Sequence, residues 1–261
     1  MKKLCLLVVV FLSTLIVHAD CDGNGFEFFP KQKIISLRSF FIIQGFGFSQ
    51  LTVKSFAGRN VYLESVTGEK VKLDVVEFIH SGKAVSQAVF KAANALKPNT
   101  KYYLRYENIT EQERYDLTVL NIDGKSENIF WQTSDYETSS LLLDEINISY
   151  KNNELKHYGC GPVARAIFSV IDNNGKNNEV WFRTEVINLS TNVKSTFYQV
   201  TEENTLHVGH YMCRGLYKFS DKGKYMVRFT PTNIDGQHLK PTAWIVFDSP
   251  YVGDSWFFRE E

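Results

Sequence analysis

Several chemistries are excluded by what this chain does not contain. It has no glycine-rich phosphate cradle and no Gly-x-Ser-x-Gly elbow, so the motif-bearing nucleotide enzymes and α/β-hydrolases are set aside. Its 29 basic and 29 acidic residues balance, and no basic block stands out, which argues against nucleic acid as a partner. Only one long apolar run occurs, at the start; no later segment is long and apolar enough to form a transmembrane helix. Cysteines number four in 261 residues and form no Cys-x-x-Cys pair, and no long stretch carries a helical period. No cofactor is implied.

The initial run has a meaning of its own. Lys2 and Lys3 precede an apolar stretch from Leu4 to Val17, followed by His18 and Ala19. A charged start, a short apolar core and aliphatic or small residues at the −3 and −1 positions predict a signal peptide cleaved after Ala19. About 14 apolar residues are too few for a span that needs ~20. Lipid attachment at Cys21 is the rival, but Asp20 stands where that reaction requires a small residue. Loss of Lys2 and Lys3 leaves 27 basic and 29 acidic residues, a formal charge of −2. The expected destination is periplasmic, cell-surface or extracellular.

What is abundant is the residue set of β-sheets. Phe (20) and Tyr (13) recur with Val, Ile and Thr in short runs between turn signals, as needed to fill a core between two sheets. Asn60–Val66 and Lys70–Val76 alternate apolar with polar around Thr67-Gly68-Glu69 and predict a half-exposed hairpin. Val85–Ala92 is ambiguous between helix and strand, and a strand is expected. Strands are further expected at Ile34–Leu37, Phe40–Ile43, Tyr102–Tyr106, Tyr115–Leu120 and Asn128–Thr133. In the second half they are expected at Ala164–Val170, Glu179–Ile187, Ser195–Val200, Leu216–Phe219, Tyr225–Thr230 and Thr242–Phe247.

Leu96-Lys97-Pro98-Asn99-Thr100-Lys101-Tyr102 places a turn before a strand whose Tyr102, Leu104 and Tyr106 share one face. The Leu-x-Pro-x-Thr-x-Tyr spacing of Leu96, Pro98, Thr100 and Tyr102 resembles the tyrosine corner of fibronectin type III and bacterial immunoglobulin-like domains, in which a Tyr hydroxyl ties back to upstream backbone. The resemblance covers about residues 30–134; over 141–250 it is weaker, with Asp221-Lys222-Gly223-Lys224-Tyr225 as a second corner. It implies an all-β chain of two tandem immunoglobulin-like or fibronectin type III-like β-sandwiches. The expected division is a signal peptide (1–19), a flexible segment (20–29), the first sandwich (30–134), a linker (135–140), the second sandwich (141–250) and an aromatic tail (251–261).

Candidate sites are few. In an oxidising compartment Cys160 and Cys213, both in the second half, form the expected disulfide, leaving Cys21 unpaired. Gly159-Cys160-Gly161-Pro162 with His157 nearby offers the alternative of a nucleophile, although no protease-like Cys/His/Asn pattern accompanies it. His207 and His210, with Cys213, are candidate copper or zinc ligands, but i and i+3 face opposite sides of a strand unless Gly209 bends it; a loop is the expected setting. The acidic residues Glu107, Glu111 and Glu113 carry no spacing that brings two carboxylates together for catalysis. Trp256, Phe257 and Phe258 in the tail are candidates for docking a partner. The leading expectation is therefore a non-enzymatic binding or structural module that recognises a protein or a glycan. A metal-binding protein or a Cys/His-dependent enzyme centred on Cys160, His157, His207 and His210 is the alternative.

Overall fold

A computed structural model of the chain describes residues 24–81, 85–120, 123–135, 146–159, 161–172, 179–212 and 214–254. The fold is all-β. In the first half, eight strands form one sheet: β1 (Gly25–Phe29), β2 (Ile34–Ile35), β3 (Phe40–Phe46), β4 (Val61–Ser65), β5 (Lys70–Ser81), β6 (Val85–Ala92), β7 (Lys101–Tyr106) and β10 (Phe130–Thr133). Their order is β1-β3-β6-β5-β4-β7-β10-β2. β3 and β10 stand five strand steps apart, about 24 Å in a flat sheet at ~4.8 Å per step. Yet the Phe41 and Trp131 rings lie 4.9 Å apart. The sheet is therefore folded over on itself around one core. The fold is made along β5, whose first residues pair with β4 and whose remainder pairs with β6, with a bulge between Val75 and Glu77.

Two short helices interrupt this half, α1 (Ser49–Ser55) and α2 (Glu111–Asp116), and a small hairpin joins β8 (Thr118–Leu120) to β9 (Ser126–Asn128). The start of α2 is a capping box: Thr110 accepts from the Glu113 N–H at 3.2 Å, and the Glu113 carboxylate accepts from the Thr110 N–H at 2.9 Å. Arg59 reaches the same carboxylate at 2.7 Å. Glu113, one of the three acids in this stretch, is thus a buried structural anchor.

In the second half two four-stranded sheets face each other. One has the order β11 (Asn147–Tyr158), β12 (Gly161–Ile171), β15 (Thr205–Tyr211), β16 (Arg214–Gly215). The other has β14 (Lys194–Gln199), β13 (Val180–Asn188), β17 (Lys224–Asn233), β18 (Ile245–Asp248). Alternate residues of β12 (Ala164, Ala166, Phe168) and β17 (Tyr225, Val227, Phe229) point inward and are fully buried. Phe168 meets Phe229 at 5.1 Å and Phe247 at 5.5 Å across the layer.

Each half has a tyrosine hydroxyl bonded to backbone just upstream. Tyr102 accepts from the Lys97 N–H at 3.0 Å, and Tyr225 accepts from the Ser220 and Asp221 N–H groups, each at 3.2 Å. Both tyrosines are fully buried. Around the first, Leu96 is buried, Asn99 adopts a left-handed φ of 51°, and the Thr100 hydroxyl donates to the Pro98 carbonyl at 2.9 Å.

The two halves share more than a linker. Trp181, Tyr198 and Ile234 of the second belong to the core of the first, with Trp181 against Phe29 at 6.5 Å. The junction also holds Arg183–Glu77 at 2.9 Å, and Gln32 and Glu179 exchange bonds of 2.8 and 3.1 Å. The Phe40 N–H donates to the Ile234 carbonyl at 2.7 Å, while Asp235 accepts from Ser36 and Ser39.

Some expectations need correction. The segment 20–29 was expected to be flexible, and the first sandwich was expected to begin at 30. In the structure Gly25–Phe29 is a strand paired along its length with Phe46–Ile42, because Phe26, Phe28 and Phe29 all pack against the first core. Tyr115 and Asp116 end a helix instead of opening a strand. Leu216–Phe219 is irregular, and the strands β11 and β15 were not anticipated; β15 carries His207 and His210, placed in a loop by the sequence reading.

Candidate functional site

A cleft of about 420 Å³ opens where the halves meet. Its volume falls in the usual range for small-ligand sites. The first half contributes Glu27 and Phe29 from β1 and Gln44 and Phe46 from β3; the second contributes Tyr198, Arg165, His207, His210, Tyr211 and Arg214 among others. The cleft is bordered by β1, β14 and β16, each the last strand of its sheet. Nothing local in the sequence signals it, since its walls come from residues about 190 positions apart.

Arg214 spans the junction. One guanidinium nitrogen donates to the Asn24 carbonyl, and the group lies 6.0 Å from the Phe46 ring. It forms no ion pair among the described residues. Gly25 makes this approach possible: its φ is +146°, and a Cβ there would sit 3.0 Å from the Arg214 Nη2 atom. Arg165 is neutralised by Glu154 at 2.7 Å and lies 5.9 Å from the half-exposed ring of Tyr211. Gln44 and Gln199 are engaged by neighbours, Gln199 donating to Thr184 at 2.9 Å and accepting from the His207 N–H at 3.2 Å. The cleft thus offers a ligand a guanidinium with no ion pair among the described residues, a tyrosine ring and apolar flanks.

His207 and His210 both line this space, but their rings have different partners. His207 Nε2 lies 3.0 Å from the Thr205 hydroxyl, and Nδ1 lies 3.2 Å from Arg165, which can only donate. Nδ1 also lies 3.4 Å from the Glu202 carboxylate. Burial, then the Arg165 charge, push the His207 pKa below its ordinary value, against the pull of Glu202 and Glu154. His210 Nε2 lies 3.5 Å from the Tyr251 hydroxyl, and burial followed by Lys218 pushes its pKa down as well. Gly209 has a φ of +142°, the β12–β15 register runs through it unbroken, and its carbonyl accepts from both the Leu216 and Tyr217 N–H groups at 3.2 Å. Among the described residues no three His, Cys, Asp or Glu side chains are grouped to hold a metal ion. His157 is elsewhere, on β11, 3.3 Å from Asp254.

Cys160, Cys213, Trp256, Phe257 and Phe258 lie outside the described residues, as does the segment expected to be a signal peptide. The residues flanking the two cysteines are described: β12 and β15 are antiparallel neighbours with Val163 opposite Tyr211, and a Cβ on Gly161 would stand 3.9 Å from the Met212 carbonyl. Trp131 and Trp181 are buried, so neither serves as a surface platform. No described helix is long and apolar enough to cross a membrane.

No protein-family model and no curated protein matches the chain. Among solved structures, pullulanase from Anoxybacillus sp. LM18-11 is similar in two forms. The form complexed with maltotriose aligns at 9% identity over 84% of this chain, and the other at 10% identity over 85%. Both have a TM-score of 0.25, and the chain spans about a quarter of their length. A likeness at that level carries no argument about activity.

Proposed function

We propose that the chain is an exported, non-enzymatic binding module of two immunoglobulin-like sandwiches, of the cell envelope or extracellular space, and that it holds its ligand in the cleft between them. The observation that carries this reading is the cleft itself. Both halves supply its walls, and the junction beneath it is buried and hydrogen-bonded, so the site is preorganised and not formed by chance contact of loosely tethered domains. The paired tyrosine corners support the immunoglobulin-like assignment of each half. The chemistry of the cleft supports recognition: Arg214 and Tyr211 can orient a polar ligand, and the His207 ring is engaged by Thr205 and Arg165. The ligand is a short stretch of a glycan or of an extended protein segment.

The test is to probe printed arrays of oligosaccharides and peptides with the mature protein and with the Tyr211→Ala and Arg214→Ala variants. The reading expects at least one probe class to be captured by the parent and lost by both variants. Capture that neither substitution alters would overturn it.

A further inference from the structure

The outer face of the first half, opposite its core, is built differently from the cleft. β4, β5, β7 and β10 present Tyr62 and Glu64, Lys70 and Lys72, Lys101, Tyr103 and Arg105, and Phe130 on this side, while the alternate residues of β4 and β7 point into the core. The register aligns one row across four strands: Lys70 opposite Glu64, Glu64 opposite Tyr103, and Tyr103 opposite Phe130. Lys33 closes the row, its ammonium 4.5 Å from the Phe130 ring. Every ring is covered by a cation. Lys101 stands 3.6 Å from Phe130, Arg105 5.3 Å from Tyr103, and Lys70 4.7 Å from Tyr62.

The acids on and beside this face are each matched by one cation: Glu64 by Arg105 at 3.4 Å, Glu127 by Lys101 at 3.1 Å, and Asp74 by Lys72 at 3.2 Å. Lys33 and Lys70 form no ion pair among the described residues. They sit at the two ends of the row, at least three strand steps apart, about 14 Å. Two unmatched charges at that separation suit a chain bearing several anionic groups better than a single small anion.

We propose that this face binds a polyanionic polysaccharide, a glycan carrying carboxylates or sulfates at intervals. The cations supply N–H donors for those groups. Capped rings leave no open face on which a nucleic-acid base or a neutral sugar would stack. β4 and β7 are paired on both sides, so an acidic peptide gains no main-chain hydrogen bonds here. The face is separate from the cleft, and its failure would leave the cleft reading standing.

The experiment is titration of the mature protein with polygalacturonate and dextran sulfate, with neutral dextran, polyglutamate and a single-stranded DNA oligonucleotide as comparators. Binding of at least one polyanionic glycan and none of dextran is expected, weakening as salt is raised. The Lys33→Gln/Lys70→Gln double variant should bind about tenfold or more weakly, with an unchanged melting temperature. Lys240→Gln, in the second half, should match the parent. Absence of binding to both polyanionic glycans would overturn the proposal. So would binding undiminished in the double variant, or tighter binding of polyglutamate or DNA.

Discussion

Gln87 and Tyr198, 111 residues apart, exchange two hydrogen bonds across the junction. The Gln87 Nε2 atom donates to the Tyr198 carbonyl at 2.8 Å, and the Tyr198 N–H donates to the Gln87 Oε1 atom at 2.8 Å. The side-chain amide does for Tyr198 what a neighbouring strand would do, and Gln44 accepts its remaining N–H. Gln87 is fully buried, so its loss leaves backbone groups without partners. Gln87→Leu should cost about 3–6 kcal/mol, from three buried groups that lose this partner at about 1–3 kcal/mol each, partly offset by the added apolar surface. Denaturant unfolding checks this. A midpoint equal to that of the parent would mean that the halves are not joined as described.

Glu113 is the corresponding anchor inside the first half. Burial opposes its ionisation, but hydrogen bonds from Arg59, the Thr110 N–H and Thr52 outweigh that and hold its pKa down to about 2, from 4.5. A carboxyl depressed in the fold contributes stability that is complete above the unfolded value and is lost as pH falls through the folded one. Stability should therefore drop between about pH 4.5 and pH 2, and Glu113→Gln should remove part of that slope. At neutral pH the same substitution leaves Arg59 without its buried partner, at a cost of about 3 kcal/mol. Thermal unfolding of both proteins across that pH range measures each effect.

The histidines act at higher pH and through the opposite charge. His207 and His210 are favoured as neutral rings, so the unfolded chain takes up protons first as pH falls below 6.5. Stability is complete above that pH and declines beneath it; His80, lowered by burial and by Lys54, adds to the same trend. His207→Gln should flatten the loss between pH 6.5 and 5. Identical slopes in parent and variant would contradict a His207 pKa lowered by burial and Arg165.

Export, as proposed, would put Cys160 and Cys213 in an oxidising compartment, and they are then expected to be paired, since the flanking Val163 and Tyr211 stand opposite each other on adjacent strands. A loop of some 50 residues closed this way restricts the unfolded chain by about 4 kcal/mol. Intact mass after alkylation of the native mature protein should show one modified cysteine, Cys21, and three after reduction. Three modified cysteines without reduction would contradict the pairing.

The sequence was most legible where one residue's local pattern decides its place. The alternation in Asn60–Val66 and Lys70–Val76 marked the β4–β5 hairpin, and Val85–Ala92 was correctly taken as a strand. β11 was hidden because Lys151, Asn152 and Lys156 are polar and the strand is an outermost one, with little surface to bury. β15 was obscured by Gly209 and the two histidines, which read as a loop until β12 supplies the partner. The cleft was illegible for a further reason: Glu27, Phe46, Arg165, Tyr211 and Arg214 carry no shared motif, and only the fold brings them together. Of its residues only His207 and His210 were singled out, as candidate metal ligands.

The claim that the cleft is the binding site is tested most directly by calorimetric titration of the strongest array ligand into the parent and into a Tyr211→Ala/Arg214→Ala double variant. Saturable one-to-one binding by the parent is predicted, with affinity reduced at least about 30-fold in the double variant, equivalent to about 2 kcal/mol. Equal affinity in the two proteins, with both fully folded, would place the ligand elsewhere.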